Sequence, residues 1–165
     1  MAIKQIGIAL CLIGASALAW GQTPAEPAEW VEAAVPPPPA FSTDTLLPIE
    51  MPPYVTLKIG IDPQTVALGS DGVVRYVVVM RNASGSTQAV YEGILCSIGA
   101  VKTYARAGTG GTWTLVQEPQ WRDLTDNLPS RHAFALARQG VCDGSMPYQP
   151  ATILRRLKQG RPSYQ

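Results

Sequence analysis

The chain has 165 residues, 46% hydrophobic and 15% charged, which gives room for one domain with a real core and is too apolar for a disordered polymer. Its 13 basic and 12 acidic residues nearly cancel. No strong field is therefore available to steer it onto nucleic acid or an anionic membrane.

The first 21 residues have the form of an export signal: Lys4 as a charged start, an apolar run from Ile6 to Ala19, and Ala19-Trp20-Gly21 as a small-x-small cleavage site. The run is shorter than the roughly 20 residues that span a bilayer. Residues 1–21 are thus expected to be cleaved, leaving a periplasmic chain from Gln22 with no transmembrane segment. Cys11 lies inside the apolar run behind Leu10, too large a neighbour for a lipidation site. Cleavage leaves Cys96 and Cys142 in an oxidising space, where a structural disulfide is expected.

Residues 22–53 contain nine prolines, four of them consecutive from Pro36 to Pro39. Proline removes backbone donors and fixes φ, so this segment is expected to be a mostly extended arm. Pro27 to Ala34 could form two helical turns, with Pro27 at the first position. Trp30, Leu46, Leu47 and Ile49 are too apolar for a free tether, and they predict that the arm packs partly on the domain.

Residues 54–160 are expected to form a single α+β domain. Tyr54 to Ile61 alternates as a strand and Asp62-Pro63 ends it. A short strand near Thr65 to Leu68 folds back at Asp71-Gly72 onto Asp71 to Cys96, which reads as one antiparallel hairpin around Asn82 to Ser86. A symmetric turn there puts Asn82 opposite Thr87. On that register Arg75 and Glu92 share a face with Val77, Val79, Val90 and Cys96, as a diagonal ion pair, and Tyr76 and Tyr91 take the other face.

Ala100 to Ala107 and Thr112 to Gln117 form a second hairpin around Gly108 to Gly111, with Arg106 opposite Trp113 and Tyr104 opposite Leu115. Trp121 to Leu124 is expected to start a turn of helix. Ser130 caps a helix running to Gln139 and ended by Gly140, with Cys142 just beyond it. A last helix, Ala151 to Gln159, places Ile153, Leu154 and Leu157 on one side. The sum is a mostly antiparallel twisted sheet of about five strands, with C-terminal helices and one disulfide.

No set of residues points to a reaction. There is no HExxH, no GxSxG and no phosphate-cradling P-loop, and the Gly108 to Gly111 run reads as a turn. His132 is the single histidine and reads as a structural helix-face residue. No catalytic, cofactor or metal residue is assigned and no cofactor is expected. Arg75 and Glu92 read as a structural ion pair that sets sheet register. Tyr104, Arg106, Trp113 and Trp121 are the candidates for a ligand-facing, sugar-stacking surface.

Several stretches resemble a known family: DGVVRY at Asp71 to Tyr76, YEGILC at Tyr91 to Cys96, TYA at Thr103 to Ala105, then Trp113, Trp121 and Cys142. In order and spacing they are similar to the cryptic neisserial protein-like family of exported bacterial proteins. Trp30-x-Glu32 before the prolines and Asp62-Pro63 before the turn are similar too. The resemblance implies a cell-envelope location and no established activity. The resulting expectation is a non-enzymatic periplasmic binding or envelope-structural module, with an envelope protein or cell-wall glycan as partner. Two other readings remain. An inhibitor of a periplasmic or host hydrolase would act through a rigid loop at Asn82 to Thr87 or Gly108 to Gly111. A cell-wall hydrolase would need a deep pocket around Arg75 and Glu92.

Overall fold

The computed structural model describes residues 29–126 and 131–160; the expected export signal and the cap at Ser130 lie outside them. The strands in chain order are β1 (Leu47–Pro48), β2 (Lys58–Ile61), β3 (Ala67–Leu68), β4 (Val73–Arg81), β5 (Thr87–Leu95), β6 (Ala100–Ala107), β7 (Trp113–Leu115) and β8 (Arg122–Asp123). They make one antiparallel sheet in the order β1-β2-β4-β5-β6-β7, with β3 also on β4 and β8 on β6. Among the described residues this sheet has eight strands where about five were expected. Three of the eight, β1, β3 and β8, are two-residue bridges too short to leave a period in the sequence.

Valine, isoleucine and tyrosine run through β4 and β5 because branched and aromatic side chains pack well on a pleated surface. The two strands pair over nine positions, from Val73 opposite Leu95 to Arg81 opposite Thr87. Residues 82–86 form the turn. Asn82 N–H donates to Ser86 O at 3.1 Å, Ser86 N–H donates to the Asn82 side chain at 2.9 Å, and Gly85 turns the chain at φ +87°. The turn is one residue longer than the symmetric one expected. Because side chains alternate along a strand, that residue moves Glu92 to the opposite face from Arg75. Tyr76 now faces Glu92, and Arg75 faces Gly93.

One face of the sheet is covered by helices. After β8 come α1 (His132–Leu136), a wider π-type turn (Ala137–Val141), a small hairpin of β9 (Cys142–Asp143) and β10 (Met146–Pro147), and α2 (Pro150–Gln159). Leu136, Val141, Ile153 and Leu157 pack there on Val74, Tyr76, Val78, Val90 and Ile94. The Cys96–Cys142 disulfide, Cα to Cα 5.7 Å, clamps the end of the π-type turn to the residue after β5. In the chain-entropy account a bridge closing a loop of this size stabilises a fold by about 4 kcal/mol. Gln139 adds a second tie, accepting from Glu50 N–H at 2.9 Å and donating to Glu50 O at 2.7 Å.

The other face holds Val77, Val79, Ala89, Tyr91, Tyr104, Ala105 and Ala107, with Phe41, Leu46 and Trp113 packed on them. The described part of the expected arm helix, residues 29–34, is not helical. It is extended because its groups are taken by the sheet: the Trp30 indole donates to Asp71 O at 2.8 Å, and Ala33 N–H to Asp71 Oδ2 at 3.0 Å. Trp121 to Leu124 likewise makes strand β8 and a turn in place of helix, since Leu124 N–H donates to Gly99 O at 2.9 Å.

Candidate functional site

Arg75 and Glu92 do not pair; the one-residue register difference gives each a separate site. On the arm face, Arg75 donates to both Asp71 oxygens, at 3.2 and 2.7 Å, and lies 3.6 Å from Glu32. Glu32 is the centre of that side. It accepts from Lys102 at 2.5 Å, Tyr104 at 2.7 Å and the Trp121 indole at 3.3 Å. Burial acts to raise the Glu32 pKa, but the hydrogen bonds from Lys102 and Tyr104 and the Lys102 charge outweigh it and hold it below the usual range. Glu32 thus fastens the arm across the sheet.

A bulge makes that contact possible. Between Tyr91/Ala105 and Glu92/Thr103 the pairing of β5 and β6 shifts by one residue, leaving Tyr104 without a partner. Tyr104 and Ala105 both turn to the arm face, while Thr103 and Arg106 stay on the helix side. Gly93 makes room for the ring, since a Cβ there would sit 2.7 Å from Tyr104 Oη and from Val73 Cγ1.

On the helix face, α1 brings His132 over β5. His132 Nε2 lies 2.7 Å from Glu92 Oε2, which also accepts from the Tyr76 hydroxyl at 3.2 Å, and Thr103 donates to Oε1 at 3.2 Å. Both side chains are nearly inaccessible, at 8% and 6% exposure. Burial pushes the Glu92 pKa up, but the His132 charge and the hydrogen bonds from His132, Tyr76 and Thr103 bring it below the ordinary value. Burial pushes His132 down, the Glu92 charge and hydrogen bond raise it above the ordinary value, and the nearby Arg106 charge opposes that rise. The two groups therefore form a buried carboxylate–imidazolium pair at mildly acidic pH.

This pair floors a cleft of about 520 Å³ between β6, residues 116–122 and α1. Polar groups reach it from Gln88, Thr103, Arg106, Gln120 and Arg122; Leu57, Val90, Val101 and Val116 line the rest. The size and mixed lining are those of small-molecule sites. The deep pocket considered around Arg75 and Glu92 is in fact built on Glu92 without Arg75.

The four residues expected to face a ligand do not share a surface. Tyr104 is buried against Tyr91, 5.4 Å between ring centres, and Trp113 packs between Phe41 and Tyr91 while donating to Pro39 O at 3.0 Å. Trp121 meets Trp30 edge-on at 5.9 Å. Arg106 faces Thr114, with Trp113 opposite Ala107, so Arg106 and Trp113 make no cation–π contact and Arg106 alone reaches the cleft. Among the described residues these side chains form no shared stacking platform, since the arm packs on Tyr104, Trp113 and Trp121. His132, expected to be a structural helix-face residue, instead lines the cleft beside Glu92.

Among the described residues no group of three or more His, Cys, Asp or Glu is placed to hold a metal ion, and no helix is long and apolar enough to cross a membrane. The fold and cleft define a disulfide-bonded, mostly antiparallel α+β protein with a buried acid–imidazole pair under a polar cleft. The chain belongs to the CNP1-like family, whose model matches residues 25–158. It is similar to Cryptic neisserial protein 1 of Neisseria gonorrhoeae, 27% identical over 114 residues, a match covering 62% of this chain and 56% of that protein. The chain thus spans little more than half the length of this curated relative. No solved structure matches it.

Proposed function

We propose that this chain is an exported, periplasmic, non-enzymatic binding module of the cell envelope, with the cleft over Glu92 and His132 as its ligand site. The observation that carries the reading is a concave site on a rigid sheet in which five polar side chains converge on an apolar wall. Binding is favoured over hydrolysis because His132 Nε2 is committed to Glu92, and the hydroxyl lining the cleft, on Thr103, donates to that same carboxylate. Export is supported by the Lys4 to Gly21 pattern and by the disulfide, which persists in oxidising compartments.

The test is an NMR screen of the oxidised chain from Gln22 against a library of small polar metabolites and cell-wall fragments. Binders are expected to move the resonances of Gln88, Thr103 and Gln120. Binders that instead map to the loops at 82–86 or 108–111 would overturn the assignment of the cleft.

A further inference from the structure

The charges around the cleft do not balance. Glu92 and His132 neutralise one another, and both Glu92 oxygens are already occupied, Oε2 by His132 and Tyr76 and Oε1 by Thr103. Arg122 shares its charge with Asp126 at 3.3 Å, out on the exposed rim. Arg106 is left over. Its side chain lines the cleft, and it has no carboxylate within ion-pair distance among the described residues. An uncompensated guanidinium beside two amides is a recognition element for a planar anion, because its fork of N–H donors matches a carboxylate with two parallel hydrogen bonds.

The remaining lining limits the ligand. Leu57, Val90, Val101 and Val116 offer an apolar wall inside about 520 Å³, too little for a polymer chain to be enclosed and enough for a short organic body. A dianion would bring a second negative charge close to the Glu92 carboxylate, with Arg122 already engaged by Asp126. A neutral ligand would leave Arg106 unused.

We infer that the cleft takes a small organic monocarboxylate, its carboxylate held by Arg106 with Gln88 and Gln120 beside it, and its short apolar body against the half-buried Leu57 and Val116. This assignment rests on the cleft being the ligand site and adds the ligand's chemistry to it.

The experiment is an NMR titration of the oxidised chain with hexanoate, hexanamide, hexylamine and inorganic phosphate, following the methyls of Leu57 and Val116. Hexanoate is expected to shift those methyls and to bind about tenfold or more tighter than hexanamide. Arg106→Gln should erase that preference, and Arg106→Lys should keep part of it, since lysine retains the charge without the fork. Arg106 is exposed, so both variants are expected to fold. Equal binding of hexanoate and hexanamide, phosphate binding as tight as hexanoate, or an unchanged preference in Arg106→Gln would overturn the monocarboxylate while leaving the cleft as a site. Silence of the cleft methyls toward all four probes would also overturn the monocarboxylate, and the wider metabolite screen decides the cleft itself.

Discussion

Replacing Glu92 by glutamine removes the charge facing His132 while keeping shape and a hydrogen-bond acceptor. Taking one partner from a buried ion pair costs about 3 to 5 kcal/mol, because the other charge is left unpaired in a poorly solvated site. The amide oxygen still accepts from Tyr76 or Thr103, and one such bond returns about 1 kcal/mol. A net loss of about 3 kcal/mol follows, or a Tm lower by about 10 °C for a domain of this size. The loss depends on pH in a stated direction. Glu92 titrates below its ordinary 4.5, so its stabilising share is complete above 4.5 and disappears as pH falls through the folded value. His132 titrates above its ordinary 6.5, so its share is complete below 6.5 and disappears as pH rises through the folded value. The gap between wild type and Glu92→Gln should therefore be widest between 4.5 and 6.5 and should narrow on either side. Urea unfolding at a series of pH values measures it, and the His132 ring resonances should titrate above 6.5 in the wild type and below it in the variant. A difference under about 0.5 kcal/mol, the level of an ordinary surface change, or a gap that ignores pH, would refute a buried charged pair.

Two further outcomes are expected. Glu32→Gln should weaken the hold on the arm by about 1 to 2 kcal/mol, since the hydrogen bonds from Lys102 and Tyr104 then go to a neutral amide in place of a charged carboxylate. Hydrogen exchange at Ala33 should rise while exchange in β4 stays slow; equal protection in both proteins would show that Glu32 is not the fastening. Gly93→Ala should cost about 1 to 3 kcal/mol by driving a methyl into Tyr104 and Val73. A thermal melt checks it, and an unchanged midpoint would mean that the ring has room to move.

His132 was within reach of the sequence. A disulfide from Cys96 to Cys142 lays the segment before Cys142 along β5, and the ten residues back to His132, expected from the sequence as mostly helix with a rise of about 15 Å, run about as far as the four strand residues from Cys96 to Glu92, about 13 Å; five of the ten form α1 and five the π-type turn. Those two rises meet at His132 and Glu92. Arg106 in the cleft was not legible in this way, because its side depends on the bulge at Tyr104, which is a property of two strands and of neither alone. The arm contacts were not legible either: Glu32 reaches Lys102, Tyr104 and Trp121 across some seventy or more positions of chain, and no local period encodes them.

The chain's residues by themselves determined where the long strands β4, β5 and β6 and the last helix run, that two cysteines would join, and that the fold would be an antiparallel sheet with helices on it. These follow from local preference and from the count of thiols, which need no knowledge of distant neighbours. Tertiary structure decided which way the side chains of β4 and β5 point. A turn of four residues and one of five differ little in local energy, but the longer one lets Arg75 meet Asp71 and Glu32 on one side, and Glu92 meet His132 on the other. Two buried charges with separate partners outweigh a small preference in turn shape, and that difference sets where the site lies.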